Sequence, residues 1–361
     1  MKINFRSLLR SGVHAATISS LTLATMLLAA SCTQKDSQPA APTVKSVLVF
    51  SEGQYQASNA SIISYDPDKK VATLDIFGPA NGGAKLGDVP SSATMYDGRL
   101  LVPISGSGKV YAIDPVTGKL LDKLTEVDSP RYISIINDHK AYLTNLNTPK
   151  ITIFDPSTFK ITGSIDTPTA AEMLVKVGDY IYANLWSYGN QLIKIDPNTD
   201  KIVNSIKVGS QPLALLADKT GVLWAMCDGA QWNPAMKEPA SIVKVDPEKM
   251  AVVQKLELPA AVAFSMRMVM DNAGENIYYM TDAIYKMATT ATALPTTPLV
   301  TFDKGVSGYS LGINPANGDL YVGDAIDYTQ RGVVYRYTSA GVPLDKFTAG
   351  IVPSFYYFSS K

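Results

Sequence analysis

The chain has 361 residues, 32 basic and 32 acidic side chains, two histidines and two cysteines. Such a balance offers no cationic face for a nucleic-acid backbone, and so few cysteines and histidines exclude a disulfide-built scaffold and a His-rich metal site. About 330 residues of exported chain must therefore be held by a large apolar core, as one big β domain or two smaller ones.

The first residues set the compartment. Lys2, Arg6 and Arg10 make a positive start, and residues 13–30 carry no Asp, Glu, Lys or Arg. This predicts a signal peptide over 1–31; the stretch is too short and too rich in small residues for a membrane span. It ends Leu27-Leu28-Ala29-Ala30-Ser31-Cys32, which resembles a bacterial lipobox with its leucine one place early. Lipidation of Cys32 is expected; the other reading is simple export with Cys32 unmodified. Without the leader the charge falls to 29 basic against 32 acidic residues. Residues 32–45 are polar and rich in Pro and Ala, a flexible tether to the membrane. With Cys32 lipidated, Cys227 has no partner for a disulfide.

From residue 46 a repeat begins. IISYDPDKK (62–70), VYAIDPVTGK (110–119), ITIFDPSTFK (151–160), LIKIDPNTDK (192–201) and IVKVDPEKM (242–250) each join a short alternating run to Asp-Pro. Degenerate copies follow at 284–292 and 334–342. The column 66, 114, 155, 196, 246, 288, 338 has spacings of 41 to 50 residues, which suits a four-stranded propeller blade. Proline presets φ for the second position of a turn and the Asp side chain caps it, so the pairs read as turns rather than catalytic carboxylates. Residues 130–165 divide into four alternating runs, strands a to d, and the same order fits the other copies. The expectation is an all-β, seven-bladed β-propeller over 46–361. The first copy starts at a b strand, SVLVFSEG (46–53). The last is followed by GIVPSFYYF (350–358), whose Pro-then-apolar start matches VPSSATM, SPRYISI and QPLALLA. Residues 353–358 are thus expected to supply the missing inner strand of blade 1 and close the ring.

In a propeller the b–c and d–a loops share one face. The predicted b–c loops, 51–59, 184–190, 227–240 and 323–332, carry Tyr55, Trp186, Tyr188, Trp232 and Tyr328. Aromatic loops on a rigid scaffold are where binding concentrates. The alternative for Trp186 and Trp232 is packing against neighbouring blades; Trp224, inside a b strand, reads as core. Arg131 and Arg267 fall near the starts of a strands, either as guanidinium forks for a ligand at the channel mouth or as inter-blade ion pairs. His139 falls in a turn on the opposite face, and no triad, phosphate loop or zinc spacing is present. Glu52, Asp228, Asp282 and Asp324 at b-strand ends are either an all-oxygen cation site or solvated loop carboxylates. The pattern favours binding over catalysis, with no cofactor and no catalytic residue assigned.

The segments SEGQYQASNASIISYDPD, KLGDVPSSATMYDGRLLV and SPRYISIINDHKAYLTN resemble the YncE-like propeller lipoproteins of Bacteroidetes. The likeness is carried by Ser51-Glu52-Gly53, Asn59-Ala60-Ser61 and Tyr65-Asp66. Within that group, the BtuG-type proteins capture cobalamin and hand it to a TonB-dependent outer-membrane transporter. The resemblance implies an outer-membrane lipoprotein, at the cell surface or facing the periplasm, with a corrinoid ligand and such a transporter as partner. It carries over no ligand-contact motif. Two other readings stand beside it, a ligand-free protein-interaction propeller and a divalent-metal-dependent enzyme such as a lactonase.

Overall fold

Alternating apolar positions bury one side of every short strand, so each run must pair with neighbours and stack against another sheet. In the computed structural model, which describes residues 46–259 and 266–359, 28 strands form seven antiparallel four-stranded sheets. The leader, Cys32, the tether and residues 360–361 lie outside the described residues.

The inner a strands are Pro353–Ser359 (blade 1), Thr94–Tyr96, Pro130–Asn137, Ala170–Val177, Pro212–Ala217, Arg267–Met270 and Gly308–Ile313 (blade 7). The core lies between blades. Tyr142, Ile151 and Ile153 of blade 3 pack with Ile181, Ala183 and Ile193 of blade 4. Leu223, Ala225 and Val243 of blade 5 pack with Tyr182 and Leu192 of blade 4. Trp224 is fully buried, as its strand position implied, and its indole N–H donates to Asp218 Oδ2 at 3.0 Å.

The ring closes as expected. The first b strand, Ser46–Ser51, pairs antiparallel with Pro353–Ser359 on one side and Ser61–Asp66 on the other. Phe50 and Phe355 stack across the closure with centroids 4.4 Å apart. At the outer layer, Tyr65 of blade 1 stacks on Phe347 of blade 7 at 3.8 Å. Blade 1 thereby has the same four strands as the other six.

The five Asp-Pro pairs are turns. In each, the Asp side chain accepts backbone N–H groups two or three residues on, at Asp68, Val116, Ser157, Asn198 and Glu248. Three of them have a second role that the sequence pattern hides. The proline carbonyl accepts from the preceding blade: Arg99 Nη2 to Pro156, Lys140 Nζ to Pro197 and the Tyr182 hydroxyl to Pro247. The hydrogen bonds, led by the Ser157 hydroxyl, hold Asp155 at about 2, and Asp66, Asp114, Asp196 and Asp246 also lie below the usual carboxylate range. Depressed carboxylates favour the fold while ionised, so their contribution is full above about pH 4 and lost as pH falls toward 2. Urea midpoints measured from pH 5 to pH 2 should fall steadily over that window; a flat profile would show that the turns add nothing.

One boundary differs from the sequence reading. Residues 184–187 continue the strand Tyr180–Ser187, so Trp186 sits at a strand end and only 188–190 form the loop. Blade 6 joins its b and c strands through Thr281 and Asp282 alone. The large-loop pattern thus belongs to blades 1, 5 and 7.

Candidate functional site

The mouth of the channel is built by bulges. In five blades the inner strand slips register against its neighbour near its first residues. The slipped positions are Ser354, Arg131-Tyr132, Glu172-Met173, Leu213 and Tyr309. A bulge leaves a backbone amide unpaired and re-aims a side chain. Buried polar residues in the facing b strands take up those amides: Tyr132 N donates to Thr144 Oγ1 at 3.0 Å, and Met173 N to Asn184 Oδ1 at 2.8 Å. The side chains released in this way form the rim.

On one half of the mouth, Arg131 grips Glu172 of the next blade through Nε and Nη2, with Nε–Oε2 at 3.0 Å, and Nη1 donates to Ser91 Oγ at 3.1 Å. Three blades are tied by one guanidinium. The guanidinium carbon lies 5.9 Å from the centroid of the Trp186 ring. Burial works against the guanidinium charge, but Glu172 outweighs it and keeps Arg131 protonated. Of the two readings open for Arg131, the inter-blade ion pair is the one the structure shows.

On the other half, the Tyr309 hydroxyl donates to both oxygens of Glu52, at 3.1 and 3.2 Å. Arg267 lies over the Tyr309 ring at 5.1 Å and donates to the Met266 carbonyl; among the described residues it makes no ion pair. Burial raises the Glu52 carboxyl above the usual range, while Tyr309, Arg131 and Arg267 pull it part of the way back. Burial pushes Tyr132 up to about 12 and raises Tyr309, whose shift Glu52 reinforces. Both halves therefore sense one another's charge. Two guanidinium and two carboxylate groups leave the mouth near neutral.

Around this polar rim stand the aromatic rings. Tyr188 and Trp232, from adjacent blades, meet edge to face at 5.3 Å. Tyr328 meets Tyr309 in the same way at 5.7 Å. Tyr55, Tyr188, Trp232 and Tyr328 remain 72, 64, 53 and 54% exposed. Tyr55 stands apart and joins neither pair. Trp186 is half-buried, and its buried indole N–H has no hydrogen-bond partner among the described residues. Tyr188 and Tyr328 both hold left-handed backbone, φ 57° and 63°, where a bulky residue costs on the order of 1 kcal/mol or more. Tyr188→Gly and Tyr328→Gly should therefore keep unfolding free energies within about 1 kcal/mol of the parent, strain relief offsetting the lost ring. Urea denaturation checks this, and a loss of about 3 kcal/mol or more would mark the rings as core.

The carboxylates weighed as a cation site do not converge. Asp228 and Asp324 cap the turns that follow them, through Ala230 N at 2.7 Å and Ile326 N at 2.9 Å, and Asp282 accepts from the Thr281 hydroxyl. Among the described residues no three ligating side chains cluster. Cys227 is buried, and burial raises its thiol far above the usual range. Glu172, Tyr132 and Tyr309 escaped the sequence reading. The available signal was a charged residue inside an apolar inner strand, as in AAEMLV, with Thr144 and Asn184 standing in otherwise apolar b strands.

Residues 45–359 match the family described as a domain of unknown function, DUF5074. No curated protein matches the chain significantly. Similar solved structures include a quinoprotein alcohol dehydrogenase-like protein from Bacteroides thetaiotaomicron, at 18% identity and TM-score 0.66 over 87% of this chain and 78% of that one. Hydrazine synthase from Kuenenia stuttgartiensis matches at 13% identity and 0.57, over 73% and 88%. The dihydro-heme d1 dehydrogenase NirN matches at 10% and 0.57, over 89% and 78%. At these identities the propeller fold is what is shared.

Proposed function

The chain belongs to the DUF5074 family, and on that premise we propose that it is an envelope lipoprotein whose channel-mouth face binds a broad, largely neutral small molecule, a corrinoid being the best candidate. The observation that carries this reading is the set of exposed rings, Tyr188 with Trp232 and Tyr328 against Tyr309, standing around a charge-balanced polar rim. A corrin has an apolar macrocycle edged with amides, and this face offers flat apolar surface beside fixed donors and acceptors. Among the described residues the Trp186 N–H has no partner and Arg267 no carboxylate, and both offer donors suited to amide carbonyls. The likeness to BtuG-type proteins favours delivery of the ligand to a TonB-dependent transporter, with Cys32 as the membrane anchor.

Magnitudes set what the face must do. Each exposed ring leaves roughly 100 Å² to bury, about 2–3 kcal/mol at 25 cal/mol/Å². Association costs about 4–15 kcal/mol before any affinity remains. One ring pair is not enough; micromolar binding needs most of the face engaged at once.

Calorimetric titration of the mature protein with cobinamide and cobalamin tests the reading. Saturable heat with a shift of the corrin visible spectrum at micromolar protein is expected. No heat and no spectral change would overturn the ligand class.

A further inference from the structure

We propose that the cleft between blades 7 and 1, on the same face as the mouth but at the ring's outer edge, is a second binding site. Its ligand class is an apolar body carrying one anionic head, a carboxylate or a phosphate. The cleft has a volume of about 560 Å³, within the range that holds drug-sized ligands. None of the rim side chains described above lines it.

Its walls have two characters. Leu74, Pro79 and Ile351 supply apolar surface, backed by the buried Ile63 and Leu86, and Leu74 is left 40% exposed. Lys85 and Arg331 flank this surface, one from each blade, and among the described residues neither makes an ion pair or a side-chain hydrogen bond. This contrasts with the mouth, where each carboxylate faces a guanidinium or a phenol. The only carboxylate in the lining, Asp75, is turned to the backbone N–H groups of Phe77 and Gly78. Two cations beside a committed carboxylate leave an excess of positive charge, which favours an anion.

The wall also keeps an unmet polar group. Ser51 Oγ is fully buried with no hydrogen-bond partner among the described residues. It lies 2.8 Å from where a Cβ on Gly350 would stand, and Gly350 lines the cleft. A side chain at Gly350 would also collide with Ser61 Oγ, so the glycine lets the outer strand of blade 7 pack closely against both serines. An orphaned buried hydroxyl costs about 1–3 kcal/mol, and Ser51 Oγ sits behind the cleft wall rather than in its lining.

The experiment uses the mature full chain, with decanoate, decyl phosphate and neutral decanamide as probes, each titrated calorimetrically at low salt. The anions should bind about tenfold or more tightly than decanamide, a difference of about 1.4 kcal/mol. Lys85→Ala with Arg331→Ala should weaken the anions by about tenfold or more while leaving decanamide within about twofold. Both residues are exposed, so the fold is not at stake. Ala84→Trp, also at an exposed position, should block all three probes by filling the cleft. Preference for decanoate or for decyl phosphate identifies the head group. Failure of both anions to bind, equal binding by the double variant, or binding unaffected by Ala84→Trp would each overturn the site. Corrinoid binding at the mouth should be unchanged in these variants, so failure here is distinguishable from failure there.

Discussion

A chain ending at Ile351 loses cooperative unfolding. The strand Pro353–Ser359 is the inner strand of blade 1, although it lies at the far end of the sequence from its neighbours. Removing it takes Phe355 from its stack on Phe50 and Tyr356 and Phe358 from their packing on Tyr321, with centroids 4.4, 5.7 and 5.2 Å apart. It also removes the bond from Ser310 Oγ to the Pro353 carbonyl, at 2.8 Å, which ties blade 7 to blade 1. Truncating one buried aromatic costs about 3–5 kcal/mol. Phe355, Tyr356 and Phe358 are half-buried and each costs less than that, but with the lost pairing of a whole strand their sum is comparable to the roughly 5–15 kcal/mol that hold a typical protein folded. The strand Ser46–Ser51, buried on both faces and paired on both edges, would become an open apolar edge and invite aggregation. Urea unfolding followed by circular dichroism and by tryptophan fluorescence checks this. The parent should give one coincident transition and the truncated chain a broad or absent one. A sharp transition at the parent midpoint would show that the ring does not depend on this closure.

The second large effect lies at the mouth. Arg131→Met leaves Glu172, 4% exposed, without its guanidinium. Breaking a buried pair from one side costs about 3–5 kcal/mol, because the remaining charge is stranded in a poorly solvated place. The loss should exceed what the Ser91 bond and the packing on Trp186 contribute. Replacing both partners, Arg131→Met with Glu172→Met, should recover most of it, since two apolar side chains leave no stranded charge. Denaturant unfolding of the two single variants, the double variant and the parent closes the cycle. A single-variant loss under about 1 kcal/mol would mean that water already reaches the pair and that the rim is not held by it.

Much of the architecture could be read from the residues. The Asp-Pro column marked every c–d turn in blades 1 to 5, because a proline at the second turn position and an Asp cap leave a local signature. The closure was readable because Val352-Pro353 repeats the start of other inner strands. In the structure Val89, Ser129, Gln211 and Val352, each just before a proline, share a left-handed φ between 42° and 56°. Their carbonyls accept from the residues after the b strands, as Ser129 O does from Leu146 N. What escaped reading was long-range. Glu172 pairs with a residue 41 positions away and Tyr309 with one 257 away, and no local pattern encodes such partners. Bulges escaped for a related reason, since an extra residue in one strand shows only when the facing strand is known. Arg131 stands near the start of an inner strand, and which of its two roles it plays depends on Glu172. Trp186 stands at a strand end rather than in a loop. Its half-buried ring would cost stability if removed, whereas Tyr188 and Trp232 stand mostly in solvent.

The mouth as the binding face is tested most directly by titrating cobinamide into Tyr188→Ala/Trp232→Ala beside the parent, with both melting curves recorded. The account predicts a parent that binds at micromolar concentration or tighter. It predicts a double variant with the parent's melting temperature to within about 4 °C and affinity reduced about a hundredfold, the equivalent of about 3 kcal/mol. Parent-like affinity in a folded double variant would contradict it and move the ligand away from these rings.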